Sequence, residues 1–188
     1  MLSYFQFNEA KRSEEILDRL GRGEKVALIT DAGTPGISDP GERVVRAAIA
    51  AGLRVEAVPG PCALVAALTA SGLPADEFHF IGFLAHKSGQ RRTRLESLKA
   101  VPGTLIIYES PYRVIKLLDE LADILPGRPV VLARELSKKF EEYLRGTASE
   151  LLARLSGKAI RGEFVILVGE GSKEKGQKDS TEPKAEQA

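Results

Sequence analysis

The chain has 188 residues, 43% of them hydrophobic, and its 27 Lys and Arg against 26 Asp and Glu give a formal net charge of +1. That length and apolar content suffice for a packed core, in one domain or two small ones, while no apolar run approaches the ~18 residues of a membrane span and the N-terminus is polar within a few residues, so neither membrane span nor secretory signal is expected and the cytoplasm is the default compartment. The single cysteine, Cys62, excludes an intrachain disulfide, two histidines are too few for a structural zinc site, and near-neutral charge means that any affinity for nucleic acid has to come from a local patch.

Residues 8–20 have the spacing of an amphipathic helix, with Asn8 as cap and Ala10, Ile16, Leu17 and Leu20 apolar. The run Val26–Ile29 is short and continuously apolar, as in a strand covered on both faces. It enters the loop Asp31-Ala-Gly-Thr-Pro-Gly-Ile-Ser-Asp-Pro-Gly41, which is longer and richer in Gly and Pro than a plain strand-to-helix connection. Asp39 is placed to cap the next helix, with Pro40 at its first position and Glu42 three residues after the cap. Ligands of open α/β sheets bind at the carboxyl ends of strands, so the loop reads as a ligand-binding turn; the plainer alternative is a rigid turn that uses Gly and Pro only to redirect the chain. Val44, Val45, Ala48, Ile49 and Ala51 then form a helical stripe ended by Gly52, and Arg54–Val58 reads as a second parallel strand. One βαβ unit cannot make a covered sheet, so it needs further sheet on at least one side.

Pro59-Gly60-Pro61 is the expected hinge between an N-terminal α/β domain, residues 1–60, and a second α/β domain, residues 61–171. The second domain opens with a small-residue helix from Ala63 to Ala70. It continues as strand 78–84, helix 90–99, strand 105–108, helix 111–125, strand 130–134, a short strand near 141–145, helix 148–155 and strand 163–168. Thr147-Ala-Ser-Glu150 matches a capping box. Residues 172–188, polar and low in apolar residues, are expected to be a disordered tail.

Neither a Rossmann fingerprint nor a Walker A loop is found, which disfavours dinucleotide and P-loop chemistry. Tyr108-Glu109-Ser110-Pro111 is a strand end with a helix start: Ser110 is expected to cap and Pro111 to take the first position, but the helix does not explain Glu109. Arg134-Glu135 ends its own strand. A shared sheet edge would place both carboxylates where ligands bind, the alternative being ordinary salt bridges at strand ends. Lys87, Arg91, Arg92, Arg94 and Lys99 against the lone acid Glu96 form a basic stretch able to neutralise phosphates, or else an ordinary solvated face.

Four segments in this order, Asp31 to Gly41, Pro59-Gly-Pro-Cys-Ala63, Tyr108-Glu-Ser-Pro-Tyr-Arg113 and Ala133-Arg-Glu-Leu-Ser-Lys138, resemble the ribosomal RNA small-subunit methyltransferase I family. That family is a branch of the tetrapyrrole methylase-like (class III) S-adenosylmethionine methyltransferases. The resemblance implies a two-domain α/β fold, a parallel-sheet N-terminal domain and a mixed-sheet C-terminal one, with the cofactor folded between them. It also implies an N-terminal segment of about two strand-helix units that this chain lacks. S-adenosylmethionine would be bordered by Asp31, Gly33, Thr34, Pro35, Cys62, Ala63, Tyr108, Arg134, Gly162 and Glu163. Cys62 stands where the family usually has Ser, so a main-chain contact is expected there in place of a hydroxyl.

The implied reaction is methylation of a cytidine ribose 2′-hydroxyl in small-subunit (16S) ribosomal RNA, by in-line displacement at the sulfonium methyl and without a metal. Asp31, Glu109 and Glu135 are the candidates for base or orienting group, and Lys87, Arg91, Arg92 and Arg94 for RNA contacts. A homodimer is expected, with the RNA as partner. Two alternatives stand beside this reading: a tetrapyrrole (precorrin-type) methyltransferase on the same fold, and an inactive RNA-binding fragment without a complete cofactor site.

Overall fold

Short apolar runs in the second half of the chain pair into one mixed sheet. In the computed structural model, which describes residues 1–171, the strands are β1 (Phe78–Phe83), β2 (Thr104–Glu109), β3 (Pro129–Arg134), β4 (Glu142–Thr147) and β5 (Phe164–Val168), in the order β1-β2-β5-β3-β4. β1 and β2 are parallel, and β5 lies antiparallel between β2 and β3. β4 closes the far edge as an antiparallel partner of β3. The helices α4 (Ser88–Ser97), α5 (Val114–Ile124) and α6 (Ala148–Leu155) join these strands.

Strand alternation divides the sheet's side chains. Leu105, Ile107, Val130, Leu132, Phe164, Ile166 and Val168 pack with Leu95, Leu117, Leu118, Leu121 and Leu151 of the helices in one core. Each Leu or Ile buried this fully contributes roughly 1.5–3 kcal/mol. α6 has the expected capping box, the Thr147 N–H donating to Glu150 Oε2 at 2.7 Å and the Glu150 N–H to Thr147 Oγ1 at 3.3 Å. Thr147→Ala is therefore expected to lower stability by about 1 kcal/mol, read as a shifted urea midpoint at unchanged slope.

The chain divides into two units, Met1–Ala70 and Ser71 onward. The division falls ten residues after the expected hinge and puts α3 (Ala63–Thr69) in the first unit. There, α1 (Glu9–Gly21) packs on α2 (Glu42–Ala50). The residues expected to form a disordered tail, 172–188, lie outside the described ones.

Three expectations are corrected. Val26–Ile29 and Arg54–Val58 take no strand ladder among the described residues, and Val26, Ile29, Val55 and Val58 are exposed. An apolar run records what its side chains favour, whereas a strand exists only once another backbone pairs with it. Asp39 does not cap α2: the N-cap is Gly41, whose N–H donates to Glu9 Oε1 of α1 at 3.1 Å, so a carboxylate from a neighbouring helix does what a local cap would have done. Ser110 is not the cap of α5, which begins at Val114 after Arg113, because residues 110–113 form a turn closed by Arg113 N–H on the Ser110 carbonyl before the helix starts.

Candidate functional site

In the first unit the Asp31–Gly41 loop is held in shape by its own backbone. Ile37 N–H bonds the Thr34 carbonyl at 3.2 Å, and the Thr30 hydroxyl donates to the Ala32 carbonyl at 2.9 Å. Gly41 closes the loop at φ 148°, and a Cβ there would lie 2.9 Å from a Leu28 methyl and 3.2 Å from the Gly36 nitrogen. One bond reaches the second motif: Thr34 Oγ1 donates to the Pro61 carbonyl at 2.7 Å, across 27 residues. The structure thus brings Gly33, Thr34 and Pro35 to the segment that precedes Cys62 and Ala63. Cys62 is half-buried at the N-cap of α3 and Ala63 is the first helical residue. Asp31 is exposed, and its carboxylate has no hydrogen bond or ion pair among the described residues.

In the second unit the register gathers the remaining candidates on one sheet edge. Phe164 of β5 stands opposite both Glu109 of β2 and Arg134 of β3, so the ends of β2 and β3 and the start of β5 lie side by side. Tyr108 is half-buried with Phe80 and Phe83 edge-on to its ring, at centroid distances of 4.9 and 5.7 Å. The Glu109 side chain, 1% exposed, has both oxygens occupied: Oε1 accepts from Ser110 N–H at 2.8 Å and Oε2 from Arg113 at 2.7 Å. The same Arg113 nitrogen reaches the Leu84 carbonyl at 2.8 Å, so Glu109 fixes the loop after β1. Arg113 was legible in outline, four residues after an acid at a helix start.

Glu135 is also committed, in a different way. Its backbone is left-handed, at φ 50°, and its Oε1 accepts from Glu163 N–H at 2.9 Å and from Lys138 Nζ at 3.0 Å. Lys138 reaches on to Glu163 Oε2 at 2.9 Å. The Glu163 N–H and the Lys138 ammonium together hold the Glu135 carboxyl below the usual carboxylate range, and bonds to Glu163 and Glu135 hold the Lys138 ammonium above its ordinary value. Glu135 is thus an anchor kept ionised and a weak proton acceptor. Gly162 leaves it room, since a Cβ on that residue would lie 2.5 Å from Glu135 Cγ. Lys138, absent from the expected site, is the side chain that joins Glu135 to Glu163; its spacing of three from Glu135 was the available signal.

The basic stretch separates into two populations. Arg91 points inward: its side chain is 5% exposed and meets Glu120, 7% exposed, through Nε to Oε2 at 2.5 Å and a second nitrogen to Oε1 at 2.7 Å. Its remaining nitrogen bonds the carbonyls of Ala85 and His86, both at 3.1 Å. Arg91 is accordingly a clamp on the β1–α4 loop and is not placed to meet RNA, because the buried carboxylate of α5 claims its guanidinium. Lys87, Arg92 and Arg94 stay on the surface, with Arg92 ion-paired to Asp123.

The profile of the Tetrapyrrole (Corrin/Porphyrin) Methylases matches residues 3–152. Curated relatives that carry the name ribosomal RNA small subunit methyltransferase I include the following two. That from Micromonospora olivasterospora is 46% identical over 169 residues, which are 89% of this chain and 54% of the relative. The one from Halalkalibacterium halodurans is 45% identical over 175 residues, 93% of this chain and 60% of the relative. The chain therefore spans little more than half the length of these curated relatives. Among solved structures, the Thermus thermophilus uroporphyrin-III C-methyl transferase complexed with S-adenyl homocysteine superposes with a TM-score of 0.58 at 23% identity, over 89% of this chain and 75% of that one. This is a likeness of fold.

Proposed function

Because the chain belongs to the tetrapyrrole (corrin/porphyrin) methylase family, we propose that it binds S-adenosylmethionine and serves in 2′-O-methylation of a cytidine in small-subunit ribosomal RNA. The observation that carries this reading is the 46% identity across 89% of the chain with a relative of that name. The geometry is in keeping with it. The Thr34–Pro61 bond gathers the residues expected at the cofactor in the first unit, and the strand register gathers those of the second.

S-adenosylmethionine supplies an electrophilic methyl on a sulfonium. The protein has to hold the hydroxyl oxygen, the methyl carbon and the sulfur in line, and positioning of this kind is worth about 7 kcal/mol or more of a barrier. The Asp31–Gly41 loop suits this task, since its backbone is already fixed and Gly33 carries no side chain to hold a ligand off. For the hydroxyl proton, Asp31 is the available acceptor of the three carboxylates: Glu109 is buried with both oxygens hydrogen-bonded, and Glu135 is held ionised by its partners. Exposed Lys87 and Arg94, with half-buried Arg92, are the proposed phosphate contacts. We place the protein in the cytoplasm; no helix among the described residues is long and apolar enough to cross a membrane. A homodimer is proposed on the exposed apolar side chains of the first unit, Ile29, Ile49 and Val58 among them, and light scattering on the purified chain tests it.

Calorimetric titration with S-adenosylmethionine tests the cofactor half of the proposal. Binding to the 188-residue chain is expected, weakened up to about tenfold in Thr34→Val, where one net hydrogen bond is removed. A folded chain that gives no heat would sink it. Transfer of a labelled methyl group to small-subunit ribosomal RNA, with uroporphyrinogen as the competing acceptor, tests the substrate half; labelling of the tetrapyrrole alone would move the chain to the porphyrin branch.

A further inference from the structure

On the helix side of the sheet, Arg134, Glu142 and Leu144 of β3 and β4 meet the end of α6 and the segment that follows it. The cavity between them has a volume of about 180 Å3, and its lining also includes Arg154, Lys158 and Ile160. Drug-sized ligands occupy roughly 300 Å3 or more, so this space is too small for a whole nucleoside cofactor and suits a smaller group.

Its charge is unbalanced. Arg134, Arg154 and Lys158 line the cavity against one carboxylate, Glu142, which stands 3.4 Å from an Arg134 nitrogen. The Arg134 Nε is buried without a hydrogen-bond partner, and Lys158 has no ion pair among the described residues. Arg154 spends one nitrogen on the Arg145 carbonyl at 3.2 Å and keeps its other donors. A concave site with an excess of one sign of charge focuses its field on a counter-ion, and a guanidinium with free donors fits phosphate oxygens in particular. The apolar wall of Leu144, Leu155 and Ile160 suits a sugar lying beside that phosphate.

We propose that this cavity is a phosphodiester subsite, in which Arg134, Arg154 and Lys158 hold one backbone phosphate of the RNA substrate. The proposal rests on the ribosomal RNA reading above, gives Arg134 to the RNA strand in place of the cofactor, and adds an anchor that the Lys87–Arg94 stretch does not supply. Glu142 opposes the anion and would limit its affinity, so a single phosphate should bind weakly and count mainly as one anchor of a longer strand.

Two measurements test this on the 188-residue chain. In the first, inorganic phosphate is titrated while the Nε–H resonance of Arg134 and the backbone amide of Lys158 are followed by NMR. Saturable shifts are expected in the native chain, and their disappearance in Lys158→Gln and in Arg154→Gln/Lys158→Gln. In the second, a small-subunit ribosomal RNA hairpin is titrated at several salt concentrations. The double variant is expected to bind about tenfold more weakly, and the slope of log K against log salt should flatten by roughly 0.7 for each phosphate that is no longer neutralised. Lys158 is exposed and its ammonium makes no ion pair among the described residues, so Lys158→Gln controls for misfolding, and unchanged S-adenosylmethionine binding by both variants confirms an intact cofactor site.

Shifts with phosphate but unaltered RNA affinity would overturn the RNA backbone as the source of that phosphate. Absent shifts together with unaltered RNA affinity would overturn the subsite. A native chain that binds neither S-adenosylmethionine nor the RNA would defeat the proposed function, and the phosphate titration would still report on the cavity.

Discussion

Replacing Arg91 with methionine is expected to lower stability by about 3–5 kcal/mol and the melting temperature by something on the order of 10 °C. The substitution keeps much of the side-chain volume, so the deficit comes from charge and hydrogen bonds. Glu120 would remain buried beside α4 with only Ser88 Oγ as donor, at 2.7 Å, and the carbonyls of Ala85 and His86 would each be left without this partner. Arg91→Met/Glu120→Met should recover part of the deficit, because it leaves no unpaired carboxylate, but not all of it, because the two carbonyls stay unbonded. Equal deficits in the single and the double variant would show that the ion pair is not what holds the loop.

The same pair has a definite pH signature. Burial by itself would push the Glu120 carboxyl up, but the bonds from Arg91 and Ser88 outweigh it and leave the group below its ordinary 4.5. A carboxylate depressed in the folded state contributes stability above its unfolded pKa and loses it as pH falls through the folded one. The native chain should therefore weaken below about pH 4.5. In Arg91→Met the Arg91 bonds that depress Glu120 are gone, only the one from Ser88 remains and burial raises the group, so protonation relieves the penalty. The gap between variant and native chain should narrow as the pH falls from neutrality toward that value, as thermal melts across the range would reveal.

Gly162→Ala should be the second severe change. The residue sits at φ 89°, where an L side chain costs about 1–2 kcal/mol by itself, and the added methyl carbon would overlap Glu135 Cγ, Cδ and Oε1 at 2.5 to 2.8 Å. Glu135 has to leave, and it releases the Glu163 N–H and Lys138 together. This corner lies on the edge that the proposal gives to the cofactor, and a displacement of about 1 Å there would slow methyl transfer by about 100-fold. Glu135→Ala/Gly162→Ala removes the overlap without restoring the anchor. It should melt above the value expected from the sum of the single changes yet stay slow; full activity in that double variant would remove Glu135 from the site.

The parts of the molecule differ in how clearly the chain specifies them. The core strands of the second unit were legible because their residues are near-continuously apolar, as in Leu105–Ile107 and Val130–Leu132, and strands covered on both faces need no more specific instruction. The capping box at Thr147 was legible because its two bonds join residues three apart. Val26–Ile29 has the same apolar character and no ladder among the described residues, since composition says nothing about which backbone will pair with it.

The site divides along the same line. By itself the sequence determined the family, the order of the four motifs and the placing of Glu109, Arg134 and Glu135 at strand ends, all of which depend on residues close together in the chain. Only the tertiary structure decided what those residues do. Arg91 and Arg92 are adjacent cations of one helix, and the first is buried because Glu120 lies 29 residues away on the facing helix. Glu109 is sealed by Arg113 and the Leu84 carbonyl, Thr34 is tied to Pro61 across 27 residues, and Arg134 shares a cavity with Arg154 and Lys158. The physical reason is common to all of them: a charged or polar side chain takes its role from the partner that meets its hydrogen bonds, and packing alone determines which distant partner that is.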